Sequence, residues 1–97
     1  MIIHQVVQIT QQNQVAVLSG RIGKQSGGGD TSYELHTKHK VTFDGPSCPY
    51  AFTQKFVQIF RDAGDNRYLS KTGYHKYKVQ LSCSMEGPII ENMTLLK

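Results

Sequence analysis

The stretch Pro49-Tyr50-Ala51-Phe52-Thr53-Gln54-Lys55-Phe56-Val57-Gln58-Ile59-Phe60-Arg61-Asp62-Ala63 decides the fold. Phe52, Phe56, Ile59, Phe60 and Ala63 recur at the i, i+4, i+7, i+8, i+11 spacing of one helical face, while Thr53, Gln54, Lys55, Gln58, Arg61 and Asp62 fill the other. Ser47 suits the N-cap, Pro49 the first turn and Gly64 the residue just past the end. A strand showing Tyr50, Phe52, Phe56 and Phe60 on one face would be interrupted by Gln54 and Gln58. The spacing therefore predicts one amphipathic helix over about residues 49–63.

Upstream of it, the chain reads as three strands. In Ile2–Thr10, Ile3, Val7 and Ile9 share one face and His4, Gln8 and Thr10 the other, with Gln11 to Asn13 as a turn. Val15–Ile22 resumes β-branched residues, and Gly20 in its interior predicts a bulge or sharp bend. Gly23–Asp30, with three consecutive glycines, reads as a loop. Tyr33, Leu35, Val41 and Phe43 then alternate with Glu34, His36, Lys38, Lys40 and Thr42, which puts a basic stripe away from the core. Asp44-Gly45-Pro46 ends that strand.

Downstream, Asp65–Thr72 is a polar connection in which Tyr68 and Leu69 fold back on the core. His75, Tyr77, Val79, Leu81, Cys83 and Met85 alternate with Tyr74, Lys76, Lys78, Gln80, Ser82 and Ser84, giving a second basic stripe. Glu86-Gly87-Pro88 turns the chain into a last strand, Ile89–Leu96. The order β-β-β-α-β-β describes an α+β, mainly β domain: a five-stranded Greek-key barrel of the OB type, spanning residues 1–97 as one unit. An open antiparallel sheet carrying one helix satisfies the same pattern.

Composition bounds the function. The 97 residues carry 11 Lys and Arg against 7 Asp and Glu, a net charge of +4 that favours an anionic partner. With 38% apolar residues and no Trp, the core is small, which makes a homo-oligomer a natural way to bury more surface. No apolar run reaches the ~18 residues of a membrane span, and Met1–Thr10 lacks the pattern of a signal peptide. The chain reads as cytoplasmic, or as secreted if a leader has been removed. Cys48 and Cys83 read as buried free thiols, and a disulfide between them is the alternative.

No motif in the chain carries catalysis. Cys48 has no identifiable base beside it, Gly23-Lys24 lacks the phosphate-loop order, and His36 and His39 fall on opposite faces of a regular strand. Gly73–Val79, running on to Met93 and Leu96, resembles the zinc-histidine strand of pterin synthases, but the paired histidines of that strand are reduced to His75. No enzyme, cofactor or metal is expected. The expected function is non-enzymatic binding of single-stranded nucleic acid, DNA included, on a basic sheet face. It would use Lys38, Lys40, Tyr74, Lys76 and Lys78 with His36, assisted by Arg21 and Lys24 at the Gly-rich loop. The alternatives are an oligomeric carbohydrate- or protein-binding barrel like the receptor-binding subunits of bacterial toxins, and a small viral or mobile-element inhibitor acting by surface binding.

Overall fold

The computed structural model describes residues 4–10, 14–27, 30–60 and 72–96. They form six strands: β1 (Gln5–Gln8), β2 (Val15–Gly27), β3 (Asp30–Asp44), β4 (Phe52–Ile59), β5 (His75–Ser84) and β6 (Gly87–Leu95). Strand β2 pairs with β3, β3 with β4, β4 with β6, β6 with β5 and β5 again with β2, so five strands close a barrel. All of these contacts are antiparallel except that between β4 and β6. Closure leaves no free edge between the first and last strands of the sheet.

The helix expected from Pro49 is overturned, because Phe52–Ile59 is the barrel strand β4. Two out-of-phase alternations produce its helix-like spacing. Phe52 packs on the core, as do Val57 and Ile59, although an unbroken strand could not point both Phe52 and Val57 inward. The phase changes between them, where the β3–β4 pairing jumps from Val41↔Gln54 to His36↔Phe56. Phe56 and Phe60, assigned to the buried face of the helix, are exposed instead, and Val57 is buried. Aromatic and β-branched residues at five of the eight β4 positions suit a pleated sheet, and the pairing with β3 and β6 supplies one. Gly64, Tyr68 and Leu69 lie outside the described residues.

Two further expectations change. The first strand-like stretch is not a barrel stave: Gln5–Gln8 lies parallel on the end of β3, Gln5 opposite Val41 and Gln8 opposite Asp44. The Gly-rich loop is largely strand, since β2 runs on to Gly27 with Gly23 paired to Glu34 and Gly27 to Asp30. Gly20, by contrast, lies where β2 changes partners. It pairs with His75 of β5 on one side and with Thr37 of β3 on the other, the corner at which one long strand serves both halves of the barrel.

Alternation supplies the interior. Leu18, Leu35, Val41, Phe43, Tyr77, Val79 and Leu81 are sealed from solvent, joined by Val57 and Ile90 and, from the N-terminal segment, Val7 and Ile9. Met85 was expected on the Tyr77 face but is exposed in the turn that joins β5 to β6. Cys48 and Cys83 form a disulfide that ties the β3–β4 connection to β5, so the free-thiol expectation gives way.

The Tyr77 hydroxyl is buried with no hydrogen-bond partner among the described residues, and burial raises its pKa above 10.0. An unpaired buried hydroxyl costs about 1–3 kcal/mol. Tyr77→Phe is therefore expected to raise stability by about 1 kcal/mol, seen as a higher thermal midpoint. The pH dependence has a fixed sign. The unfolded chain releases the phenol proton near pH ~10 while the folded chain holds it, so stability falls as pH rises through that region, and Tyr77→Phe removes this loss. A lower midpoint in Tyr77→Phe would show that the hydroxyl is satisfied.

Candidate nucleic-acid interface

Strand β3 organises the candidate surface. Between His36 and Val41 it breaks register with β4, and the Thr37 hydroxyl donates a 2.7 Å hydrogen bond to the His39 carbonyl. This bulge leaves Lys38, His39 and Lys40 exposed in succession, replacing the period-two stripe expected of Lys38 and Lys40. One of these cations reaches across the barrel wall. Lys38 Nζ stands 5.2 Å from the ring centroid of Tyr74, within range of a cation–π attraction.

Tyr74 immediately precedes β5 and is 50% exposed. Lys76 follows two residues later on the same outward row and lies across from Ser19 of β2. Ser19, Lys38, Tyr74, His75 and Lys76 line an open cleft of about 200 Å³. Arg21 is two residues beyond Ser19 on the exposed side of β2, and Lys78 is paired with Val17, so both adjoin this cleft along the strands. His75 forms part of the cleft wall, its Nε2 donating to the Thr72 carbonyl at 2.9 Å and its ring packed edge-on to Tyr77.

His36 belongs to a second group. It lies opposite Arg21 on one side and Phe56 on the other, its ring 6.5 Å from that of Phe56 and inclined by 39°. Phe56 is 43% exposed, and Phe60 beyond it is exposed too. The helical reading hid both rings. A strand with one phase change displays them, and the odd spacing from Phe52 to Val57 is the signal in the sequence that could have revealed it. Lys24 lies further along β2, toward the hairpin, opposite Tyr33. Lys40 stays on the bulge, apart from the Tyr74 cleft.

Thr37 and His75 stand level at Gly20, and seven residues further along their strands come Asp44 and Ser82. Asp44, the Glu86 turn, and Glu91, whose Oε1 accepts from the Ser82 hydroxyl, therefore occupy one end. Lys38, Tyr74, Lys76 and Arg21 each lie one residue from the Gly20 level. Among the described residues no three His, Cys, Asp or Glu side chains gather to hold a metal.

No protein-family model, curated protein or solved structure matches the chain. What this surface does must be argued from its chemistry.

Proposed function

We propose that this protein is an OB-type barrel that binds single-stranded nucleic acid without catalysing a reaction. The closed five-strand order supports the fold: the first barrel strand, β2, pairs with both the second and the fourth, and the third and fifth run parallel. In barrels of that type the second and third strands and the adjoining hairpins form the binding surface. Here those strands are β3 and β4, which carry His36, Lys38 and Phe56.

The observation that carries the reading is the Lys38–Tyr74 contact beside Lys76, a cation and a half-exposed ring sharing one cleft. Lysines neutralise phosphates, while flat rings stack bases of any identity, each stack contributing about 1–3 kcal/mol. A regular duplex keeps its bases stacked internally, so exposed rings favour a single strand. Four neutralised phosphates, at Arg21, Lys38, Lys76 and Lys78, predict a slope of about −3 for log affinity against log salt. Fluorescence anisotropy with labelled single- and double-stranded oligonucleotides at several salt concentrations measures it. Lys76→Gln is expected to reduce the slope by about 0.7, and Tyr74→Ala to weaken binding roughly tenfold without changing the slope. Affinity independent of salt, or equal for duplex and single strand, overturns the proposal.

The disulfide favours a second reading, an exported barrel that recognises glycan or protein. Such bonds persist in oxidising compartments and are rare in the cytosol. A thiol assay on protein taken directly from its source separates the two: fully blocked cysteines together with no oligonucleotide binding would select the exported barrel.

A further inference from the structure

Glu34 is a buried acid beside an exposed basic cluster. It lies on the outward row of β3, two residues before His36, and yet is only 8% exposed. Its Oε1 is sealed from solvent and has no hydrogen-bond partner among the described residues. A buried carboxylate oxygen without a donor is costly, more so than a neutral group in the same position. The neighbours across the sheet do not relieve it. Gly23 of β2 has no side chain, and the amide of Gln58 on β4, though opposite, does not reach it.

The place of this acceptor is informative. His36 and Phe56 form the next cross-strand pair on the same face, and diagonal neighbours on a sheet lie within about 7–8 Å. The His36 ring covers the space above Gly23: a β-carbon there would come 2.7 Å from the ring's Cδ2 and Nε2. Gly23 thus leaves room for a planar group, and in the present arrangement the imidazole fills it. Side-chain rotamer changes are common where a ligand docks. A base that displaced the imidazole would lie between Gly23 and Phe56, next to Glu34, the residue paired with Gly23.

A carboxylate accepts and, when ionised, does not donate, so it discriminates bases by the donors they present. Guanine offers N1–H and N2–H2 side by side, a parallel pair that matches two carboxylate oxygens. Adenine and cytosine offer one amino group each, and thymine and uracil a single imide N–H flanked by carbonyl oxygens that a carboxylate repels. We propose that Glu34 reads guanine in a single strand, with Phe56 as the stacking platform and His36 as the side chain that yields to the base. This rests on the single-strand reading above and adds a base preference that charge and stacking alone do not provide.

The test compares two labelled DNA oligonucleotides of about 12 nucleotides. One is all thymidine, and the other carries one deoxyguanosine at its centre. Anisotropy at one fixed salt concentration is expected to show about tenfold tighter binding of the guanine oligonucleotide, within the range of a bidentate base contact. Replacing the guanine by hypoxanthine, which lacks the 2-amino group, should lose about threefold of that gain. In Glu34→Gln the ratio of the two affinities should fall to about one, because one acceptor becomes a donor. Equal binding of both oligonucleotides by the native protein overturns the guanine proposal and leaves the single-strand reading intact. A ratio that persists in Glu34→Gln removes the role of Glu34. If neither oligonucleotide binds, the single-strand reading fails and the base preference with it.

Discussion

Gly20→Ala is expected to cost about 3 kcal/mol or more and to give a protein that unfolds well below the native midpoint in urea. A β-carbon at this position would lie 2.5 Å from the carbonyl oxygen of His36, 3.0 Å from its carbonyl carbon and 3.1 Å from Leu35 Cδ1. Two of these three atoms are backbone and cannot rotate away. Relief requires β2 and β3 to separate where Gly20 pairs with Thr37, and the same residue also holds β5 through His75. A domain of this size has only about 5–15 kcal/mol of net stability, so the loss is a large fraction of the whole. Gly73→Ala is the control. Gly73 has a φ of 81°, which an alanine tolerates poorly, but among the described residues, its two chain neighbours aside, no atom lies within 4 Å of its would-be β-carbon. Its cost should stay near 1–2 kcal/mol, the penalty of a left-handed residue alone. If Gly20→Ala were no worse than Gly73→Ala, the close approach of β2 and β3 at the corner would be wrong. Far-ultraviolet circular dichroism followed through a urea titration of the two variants decides it.

The sequence already contained the reason for that corner, because a lone glycine inside a β-branched run has few other uses. The same holds for the interior of β3 and β5, where Leu35, Val41 and Phe43, and Tyr77, Val79 and Leu81, keep a strict period of two and are all buried. Strand β4 was unreadable for a specific reason. Its register slip against β3 moves the inward set from Phe52 to Val57 and Ile59, and two strand alternations displaced by one residue mimic a helical stripe. The only local trace of the slip is the odd spacing from Phe52 to Val57, and its cause lies in the pairing with a strand whose own bulge falls between His36 and Val41. The parallel docking of β1 on β3 is non-local in the same sense, and a short Val-rich segment carries no mark of its partner.

The candidate surface divides along the same line. Exposure of Lys38, Tyr74, Lys76 and Lys78 follows from alternation and could be read directly. Their meeting could not: Lys38 reaches Tyr74 because the β3 bulge turns it toward the start of β5. Phe56 was lost with the helix assignment. Glu34 was placed correctly on the outward row, but its burial arises from neighbours on β2 and β4, which only the closed barrel brings beside it.

Reduction of the Cys48–Cys83 bond should destabilise the barrel by about 4 kcal/mol, the entropy that a cross-link spanning 35 residues removes from the unfolded chain. The bond encloses all of β4 and the chain from it to Cys83 near the end of β5, and β4 in turn meets β6, outside the bridged loop, at only two paired positions, Gln58↔Ile89 and Ile59↔Ile90. That short parallel seam is what closes the barrel, so its dependence on the bridge should be strong. The β3–β4 connection is also held from the other side. The Ile9 amide donates to the Asp44 carbonyl at 2.7 Å, the Ser47 amide to the Ile9 carbonyl at 3.3 Å, and the Cys48 amide to the Gly45 carbonyl at 3.0 Å. Gly45 adopts φ 125° with a would-be β-carbon 2.6 Å from the Ile9 oxygen, so β1 and the bridged connection form one packed corner. Cys48→Ser with Cys83→Ser should accordingly lower the urea midpoint, and amide exchange should accelerate at Ile9 and Cys48 before it does in β2 and β3. The wild-type protein in a strong thiol reductant should behave like the double variant. An unchanged midpoint in both would mean that the native hydrogen bonds at this corner, not the cross-link, keep the barrel closed.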